Sequence, residues 1–139
     1  MELTKKQAIE EHRKMWNWIA DAIKNQEACS AVVLRYNWSS LIVDLKRHYL
    51  LNYEGQKYKD IHAHCFCCEY ADNTRNDAYC NIDNCRYCPV IWGGSNGHCR
   101  DEYGEYEELV SLYGCSNENR RKAYKLALKI ANLPEREGV

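Results

Sequence analysis

Apolar residues recur at helical spacing near the start of this chain of 139 residues. Positions i, i+3, i+4 and i+7 share one face of a helix, so the pattern predicts an amphipathic helix over residues 4–25. Thr4 and Gln7 have the spacing of a capping box, in which each side chain binds the backbone N–H of the other. The residues on the apolar face are Ala8, Ile9, His12, Met15, Trp16, Ile19, Ala22 and Ile23.

The same spacing predicts three further helices, over residues 39–53, 101–113 and 116–132. Gly55 and Gly114 follow two of them, where a left-handed residue commonly ends a helix. Ser116 is placed to cap the last helix, and Pro134 is placed to stop it. We therefore expect a mainly α fold, a single domain over residues 1–139, with about four helices around one small core.

The last two predicted helices carry opposite charge. The acidic residues are Asp101, Glu102, Glu105, Glu107 and Glu108, and the basic residues are Arg120, Arg121, Lys122, Lys125 and Lys129. The simpler interpretation is a helical hairpin that places the two sets near each other, since exposed ion pairs contribute only about 0–1 kcal/mol each. The alternative is a basic stripe that binds phosphates.

Six of the nine cysteines lie between residues 65 and 88. Four of them form two C-x2-C pairs separated by sixteen residues, which is the spacing of a structural zinc site. These four are Cys65, Cys68, Cys85 and Cys88. Two such pairs supply four sulfurs at about 2.3 Å around one ion and leave no position for a catalytic water. We therefore predict one structural zinc ion in a zinc ribbon or knuckle, inserted over about residues 62–92 between the second and third helices.

Other residues are placed to substitute for one of these ligands, namely Cys67, Cys80, Cys99, His64 and His98. An iron–sulfur cluster is also held by four cysteines but fits the paired spacing less well. Cys29 and Cys115 are remote in sequence, and we expect both to behave as small buried apolar groups. The polar loop between the pairs buries little surface, so we expect it to be disordered without metal.

Composition and charge narrow the classes of function. A net charge of −1 disfavours binding of nucleic acid through the overall field of the protein. No apolar run is long enough to span a membrane, and the charged N-terminus does not resemble a signal segment, so we predict a cytoplasmic protein. The metal-protease, serine-hydrolase and deaminase motifs are all missing from the sequence, which favours a protein that is not an enzyme.

Four stretches of the chain carry a resemblance: AIEEHRKMWNWIAD, CFCCEYA, CRYCPVIW and KIANLPER. Together they resemble a family of short, cysteine-rich proteins encoded by tailed bacteriophages and prophages, a family without an established activity. The resemblance implies a phage accessory protein, made in the cytoplasm of an infected bacterium. It also implies that Cys65, Cys68, Cys85 and Cys88 are the metal ligands.

Our leading hypothesis is a zinc-stabilised, non-enzymatic module that docks on a host protein, with defence machinery as one target. Aromatic and arginine side chains are enriched at binding hot spots, and the candidate binding residues are Trp18, Trp38, Arg86, Tyr87 and Trp92. The first alternative is a binder of nucleic acid or of a nucleotide signal, which a basic pocket with an aromatic wall would favour over a flat apolar patch. The second is a metal-dependent enzyme with an open zinc position.

Overall fold

The protein is mainly helical, as the sequence pattern predicts. The computed structural model describes residues 3–25, 38–55, 57–58, 65–75, 87–93, 99 and 103–139, with the side chains of residues 54 and 72–75 left aside. Within these residues there are five helices: α1 (Lys5–Asn25), α2 (Ser39–Asn52), α3 (Phe66–Arg75), α4 (Glu105–Val110) and α5 (Asn117–Ala131). One antiparallel β bridge joins Val90 to Glu135.

The helix pair α1 and α5 is the main packing unit of the fold. The buried face of α1 includes Met15, Trp16 and Ile19, as its periodicity predicts. The face that α5 buries is formed largely by small residues, namely Ala123, Ala127, Ile130 and Ala131. Alanine side chains let two helix backbones approach closely, so the pair buries apolar surface without large side chains on both sides.

The predicted helix caps are present. The backbone N–H of Thr4 donates to Gln7 Oε1 at 2.9 Å, and that of Gln7 donates to Thr4 Oγ1 at 3.1 Å. Ser116 Oγ accepts the N–H of Asn119 at 3.1 Å at the start of α5. A 3-10 turn follows α2 and ends at Gly55, which has the left-handed φ of 67° that the sequence predicts.

The helix α4 is shorter than the predicted range 101–113. Its last residue is Val110. Beyond it, Leu112 accepts the backbone N–H of Trp38 at 2.9 Å through its carbonyl oxygen, and the Gly114 carbonyl accepts the indole N–H of Trp38 at 3.0 Å. The chain leaves the helix early because these carbonyl groups bond to Trp38 instead of continuing the helical ladder.

The helix α3 was not predicted. The C-x2-C spacing of Cys65 and Cys68 predicts a zinc ribbon or knuckle, and the described residues do not show a ribbon. Instead the N–H of Glu69 donates to the Cys65 carbonyl at 3.0 Å, as in the first turn of a helix. The buried positions Phe66, Cys67 and Ala71 lie on one helical face.

Candidate metal centre

The structure brings four cysteines from two parts of the chain together. Cys65, Cys67 and Cys68 lie at the start of α3, and Cys88 comes from the segment 87–93. Their side chains are linked by contacts of Cys65 with Cys67 and Cys68, and of Cys67 with Cys88. We call these residues the thiol chain. Cys65, Cys67 and Cys88 are buried, whereas Cys68 is half-buried.

The segment that carries Cys88 is held by residues far along the sequence. Arg136 donates from Nε to the Cys88 carbonyl at 2.9 Å and from its backbone N–H to the Pro89 carbonyl at 2.7 Å. The N–H of Ile91 donates to the Pro134 carbonyl at 2.8 Å. These bonds fix the backbone beside Cys88 and so fix the position from which its thiol reaches α3.

The pKa of the Cys65 thiol is shifted downwards. Hydrogen bonds from Cys67 and then from Cys68 hold the pKa of Cys65 well below its ordinary value, although burial acts in the opposite direction. The neighbouring His12 ring and the charge of Lys46 lower this pKa further. The site therefore favours a thiolate at Cys65, and a thiolate is the form that binds metals.

Cys67 stands between the other two buried thiols. Burial above all, and then its hydrogen bonds to Cys65 and Cys88, raises the pKa of Cys67 well above its ordinary value. The hydrogen bond from Cys67 is also the main cause that lowers the pKa of Cys88. Hydrogen bonds with the Val90 backbone and the Trp92 side chain lower this pKa further, whereas burial and the charge of Cys65 raise it. Cys67 is thus the donor that joins the two segments.

The thiols are arranged as a chain of hydrogen bonds. Among the described residues, no group of three or more histidine, cysteine, aspartate or glutamate side chains lies in an arrangement that could hold a metal ion. Of the four predicted ligands, Cys65, Cys68 and Cys88 are brought together with the alternate Cys67. The alternate Cys99 is half-buried and packs against the core. Cys85, Cys80, His64 and His98 lie outside the described residues.

Sequence reasoning placed His12 on the apolar face of the first helix and missed its position beside the thiol chain. The His12 side chain is fully buried, with 0% exposure. Its Nε2 lies 2.8 Å from the Ile130 carbonyl oxygen, and its Nδ1 has no hydrogen-bond partner. The ring also makes an edge contact with Trp92, with centroids 5.8 Å apart. The sequence signal was a histidine among apolar residues, which alone does not separate a core histidine from a ligand.

The prediction that Cys115 is a small buried apolar group is wrong. Cys115 is disulfide-bonded and half-buried, and it lies in the turn between α4 and α5. Cys29, the other half of that prediction, lies outside the described residues.

Two of the five candidate binding residues are in the core. Trp38 is 1% exposed and Trp92 is 4% exposed, so the prediction that they act as surface anchors is wrong. Trp38 bonds to the turn after α4, and Trp92 packs on His12 and Tyr106. Tyr87 is half-buried, and Arg86 lies outside the described residues.

Trp18 lines an open groove between α1 and α2. Its indole stacks on the His48 ring, with centroids 5.8 Å apart and an angle of 15° between the planes. The groove has a volume of about 630 Å³ and is lined by Lys14, Asn17, Trp18, Asp21, His48, Tyr49, Asn52 and Tyr53. We call it the aromatic groove. It offers an apolar floor with charges of both signs at its rim.

A second pocket is basic. It lies between the end of α1 and the start of α5, has a volume of about 380 Å³, and is lined by Ile23, Lys24, Asn117, Arg120, Arg121 and Tyr124. Arg120 reaches the carbonyl oxygens of Ile23 and Lys24, each at 3.4 Å. The Lys24 ammonium lies 5.5 Å from the centroid of the Tyr124 ring. We call this the basic pocket.

The opposite charges of α4 and α5 meet at one buried carboxylate. Lys129 Nζ lies 3.7 Å from Glu105 Oε1, and Glu105 Oε2 accepts the N–H of Gly93 at 2.7 Å. This pairing supports the helical-hairpin interpretation for Lys129. Arg120 and Arg121 line the basic pocket instead, which keeps the phosphate interpretation open for that end of α5.

Comparison with protein-family models, characterised proteins and solved structures found nothing that matches this chain. In the part of the chain that the structure describes, no helix has the length and apolar character needed to cross a membrane.

Proposed function

We propose that this protein is a small, non-enzymatic binding protein stabilised by one zinc ion. The observation that supports this most strongly is the thiol chain, because four cysteines from two segments contact one another. Four protein ligands would complete the zinc shell and leave no position for a catalytic water.

The test is native mass spectrometry of the reduced protein with metal analysis, before and after chelation. We expect one zinc ion per chain and a loss of helical circular dichroism after chelation. A protein that folds equally well without metal would contradict the proposal.

We further propose that the partner is a host protein of a phage-infected bacterium and that it docks in the aromatic groove. The support is the half-exposed Trp18, stacked on His48 beside an open volume of about 630 Å³. A partner segment with one apolar or aromatic anchor would fit this floor, and Lys14 and Asp21 would pair with charges that flank the anchor.

The docking proposal predicts the behaviour of a matched pair of variants. Trp18→Ala should abolish capture of the partner from an infected-cell extract, whereas Tyr103→Ala should not, although Tyr103 is 82% exposed. Equal capture by both variants would place the interface elsewhere.

The basic pocket favours a second candidate function, binding of a nucleotide. It combines Lys24, Arg120 and Arg121 with the aromatic wall of Tyr124, which suits a phosphate group joined to a flat base. We expect a nucleoside triphosphate to bind the wild-type protein and to bind Arg121→Ala at least about tenfold more weakly, since one charge-assisted bond contributes about 1.5–3 kcal/mol. Lys125→Ala on the same helix is the control. Equal binding to both variants would reject this site.

A further inference from the structure

We propose that His12 is a zinc ligand and that the metal site is a Cys3His site formed by Cys65, Cys67, Cys88 and His12. This inference rests on the proposed zinc ion. Compared with the ligand set predicted from the sequence, Cys67 and His12 take the places of Cys68 and Cys85. The ion would then join the first helix of the fold directly to the cysteine segments.

The first support is the unpaired nitrogen of a fully buried ring. A carbonyl group can only accept, so the 2.8 Å contact with Ile130 requires the hydrogen of His12 to be on Nε2. In the neutral ring Nδ1 then carries a lone pair that no donor meets in hydrogen-bonding geometry, although the ring interacts with the Cys65 thiol. A buried acceptor without a partner costs about 1–3 kcal/mol, so a histidine kept only for packing would be unfavourable here.

The second support is the hydrogen bond on the opposite side of the ring. Histidines that bind metals almost always donate their other N–H to a carbonyl or carboxylate, which fixes the ring and its tautomer. The Ile130 carbonyl on α5 provides this partner for His12. The Trp92 ring contacts the imidazole edge-on at 5.8 Å and restricts its rotation further. The ring is therefore held with Nδ1 as the nitrogen left for a metal.

The third support is the position of the ring beside the thiols. His12 is a neighbour of Cys65, which is linked through Cys67 to Cys88. All four residues are buried, whereas Cys68 is half-buried. Three cysteines and one histidine are a common ligand set of structural zinc, with Zn–S at about 2.3 Å and Zn–N at about 2.0 Å.

Metal binding would convert the chain of hydrogen bonds into a tetrahedron. Cys67 would release its thiol proton, because metal ligands bind as thiolates. The three sulfurs would then turn towards one point instead of towards one another. The four side chains can therefore be neighbours in this structure without yet having the geometry of a zinc site.

The test is X-ray absorption spectroscopy of the zinc-loaded wild-type protein. We expect three sulfur ligands and one nitrogen ligand. Four sulfur ligands would overturn the inference about His12 while leaving the zinc proposal intact. A protein that binds no zinc at all would overturn both.

Variants identify which histidine supplies the nitrogen. His12→Gln should remove the nitrogen ligand and lower the affinity for zinc. The loss should exceed the roughly 10- to 100-fold seen when a residue that only orients a ligand is removed. His12→Cys should restore binding with four sulfurs. His48→Gln, His62→Gln, His64→Gln and His98→Gln should leave the spectrum unchanged, and loss of the nitrogen in any of these four would reject His12.

Substitution of the cysteines separates the two ligand sets. Cobalt can replace zinc in the reduced protein and reports thiolate ligands through charge-transfer absorption. Cys67→Ser should lower that absorption, while Cys68→Ser and Cys85→Ser should leave it unchanged. The opposite result would restore the set predicted from the sequence.

Discussion

The helix pair α1 and α5 and the cysteine segments 65–75 and 87–93 are stabilised in different ways. The helix pair buries a stripe of apolar side chains along two long helices and is capped at its helix starts. The cysteine segments are a ten-residue helix and a short piece around Cys88, joined to each other by hydrogen bonds between thiols, and Arg136 binds the backbone of the second piece. Burial along a helix face is set by local periodicity, whereas the contacts of the cysteine segments depend on residues far apart in sequence.

The largest expected effect is that removal of zinc destabilises the cysteine segments more than the helix pair. Structural zinc contributes roughly 10–16 kcal/mol of apparent binding free energy in small sites, so chelation should release the cysteine segments first. We expect amide hydrogen exchange to accelerate most at Phe66–Ala71 and Cys88–Trp92, and less in α1 and α5. Restoration by added zinc is the control, and equal acceleration in both regions would show that they unfold as one unit.

Truncation of one aromatic core residue in each region tests whether the two regions depend on zinc to different degrees. Trp16→Ala in α1 and Phe66→Ala in α3 should each cost about 3–5 kcal/mol of unfolding free energy in the zinc-loaded protein, since both side chains are fully buried. After chelation only Trp16→Ala should keep a cost of this size, because Phe66 then lies in a loosened segment. Denaturant unfolding with and without chelator measures both. Equal costs for Phe66→Ala in the two conditions would contradict the comparison.

A methyl group at Gly93 should strain the junction between the cysteine segments and α4. A Cβ at this position would overlap the carboxylate of Glu105, which accepts the Gly93 N–H. We expect Gly93→Ala to cost about 1–3 kcal/mol of stability, as other overpacked sites do. The cost should shrink in a Glu105→Ala background, and an unchanged cost in this double-mutant cycle would rule out the overlap as its cause.

Loss of the cap of α5 should have the smallest effect and should be confined to the helix pair. Ser116→Ala removes the acceptor of the Asn119 N–H and should cost about 1 kcal/mol. Ser111→Ala is the control, because Ser111 is exposed and follows α4 rather than beginning a helix. A shift in metal affinity with Ser116→Ala would show that the two regions are coupled more tightly than their contacts indicate.

Sequence periodicity predicted the two helices of the pair well, because the residues that determine each helix lie close together in the sequence. Thr4, Gln7 and Ser116 specify caps over three residues, and the apolar stripe of α1 repeats within its own helix. The early end of α4 could not be predicted in this way, since it depends on hydrogen bonds between Trp38 and residues more than 70 positions away. The helix α3 was not predicted because the C-x2-C spacing indicates a zinc knuckle, although Phe66, Cys67 and Ala71 also have helical spacing.

The candidate site was predicted only in part for the same reason. Spacing along the chain indicated that Cys65, Cys68 and Cys88 would come together with an ion, but it could not indicate a ligand on another element. His12 and Ile130 are 118 positions apart, so only folding shows that one nitrogen of His12 is satisfied and the other is not. The disulfide of Cys115 likewise depends on tertiary proximity that spacing does not reveal.

The bonds from Arg136 to the Cys88 segment have a consequence for the order of events during synthesis. Arg136 follows Cys88 by 48 positions, and ribosomes add about 5–20 residues per second, so about 2–10 s separate the two residues. During this interval the Cys88 thiol has been made but the residue that fixes its backbone has not. If the chain binds zinc as proposed, capture of the ion would have to compete with oxidation of the thiols during these seconds.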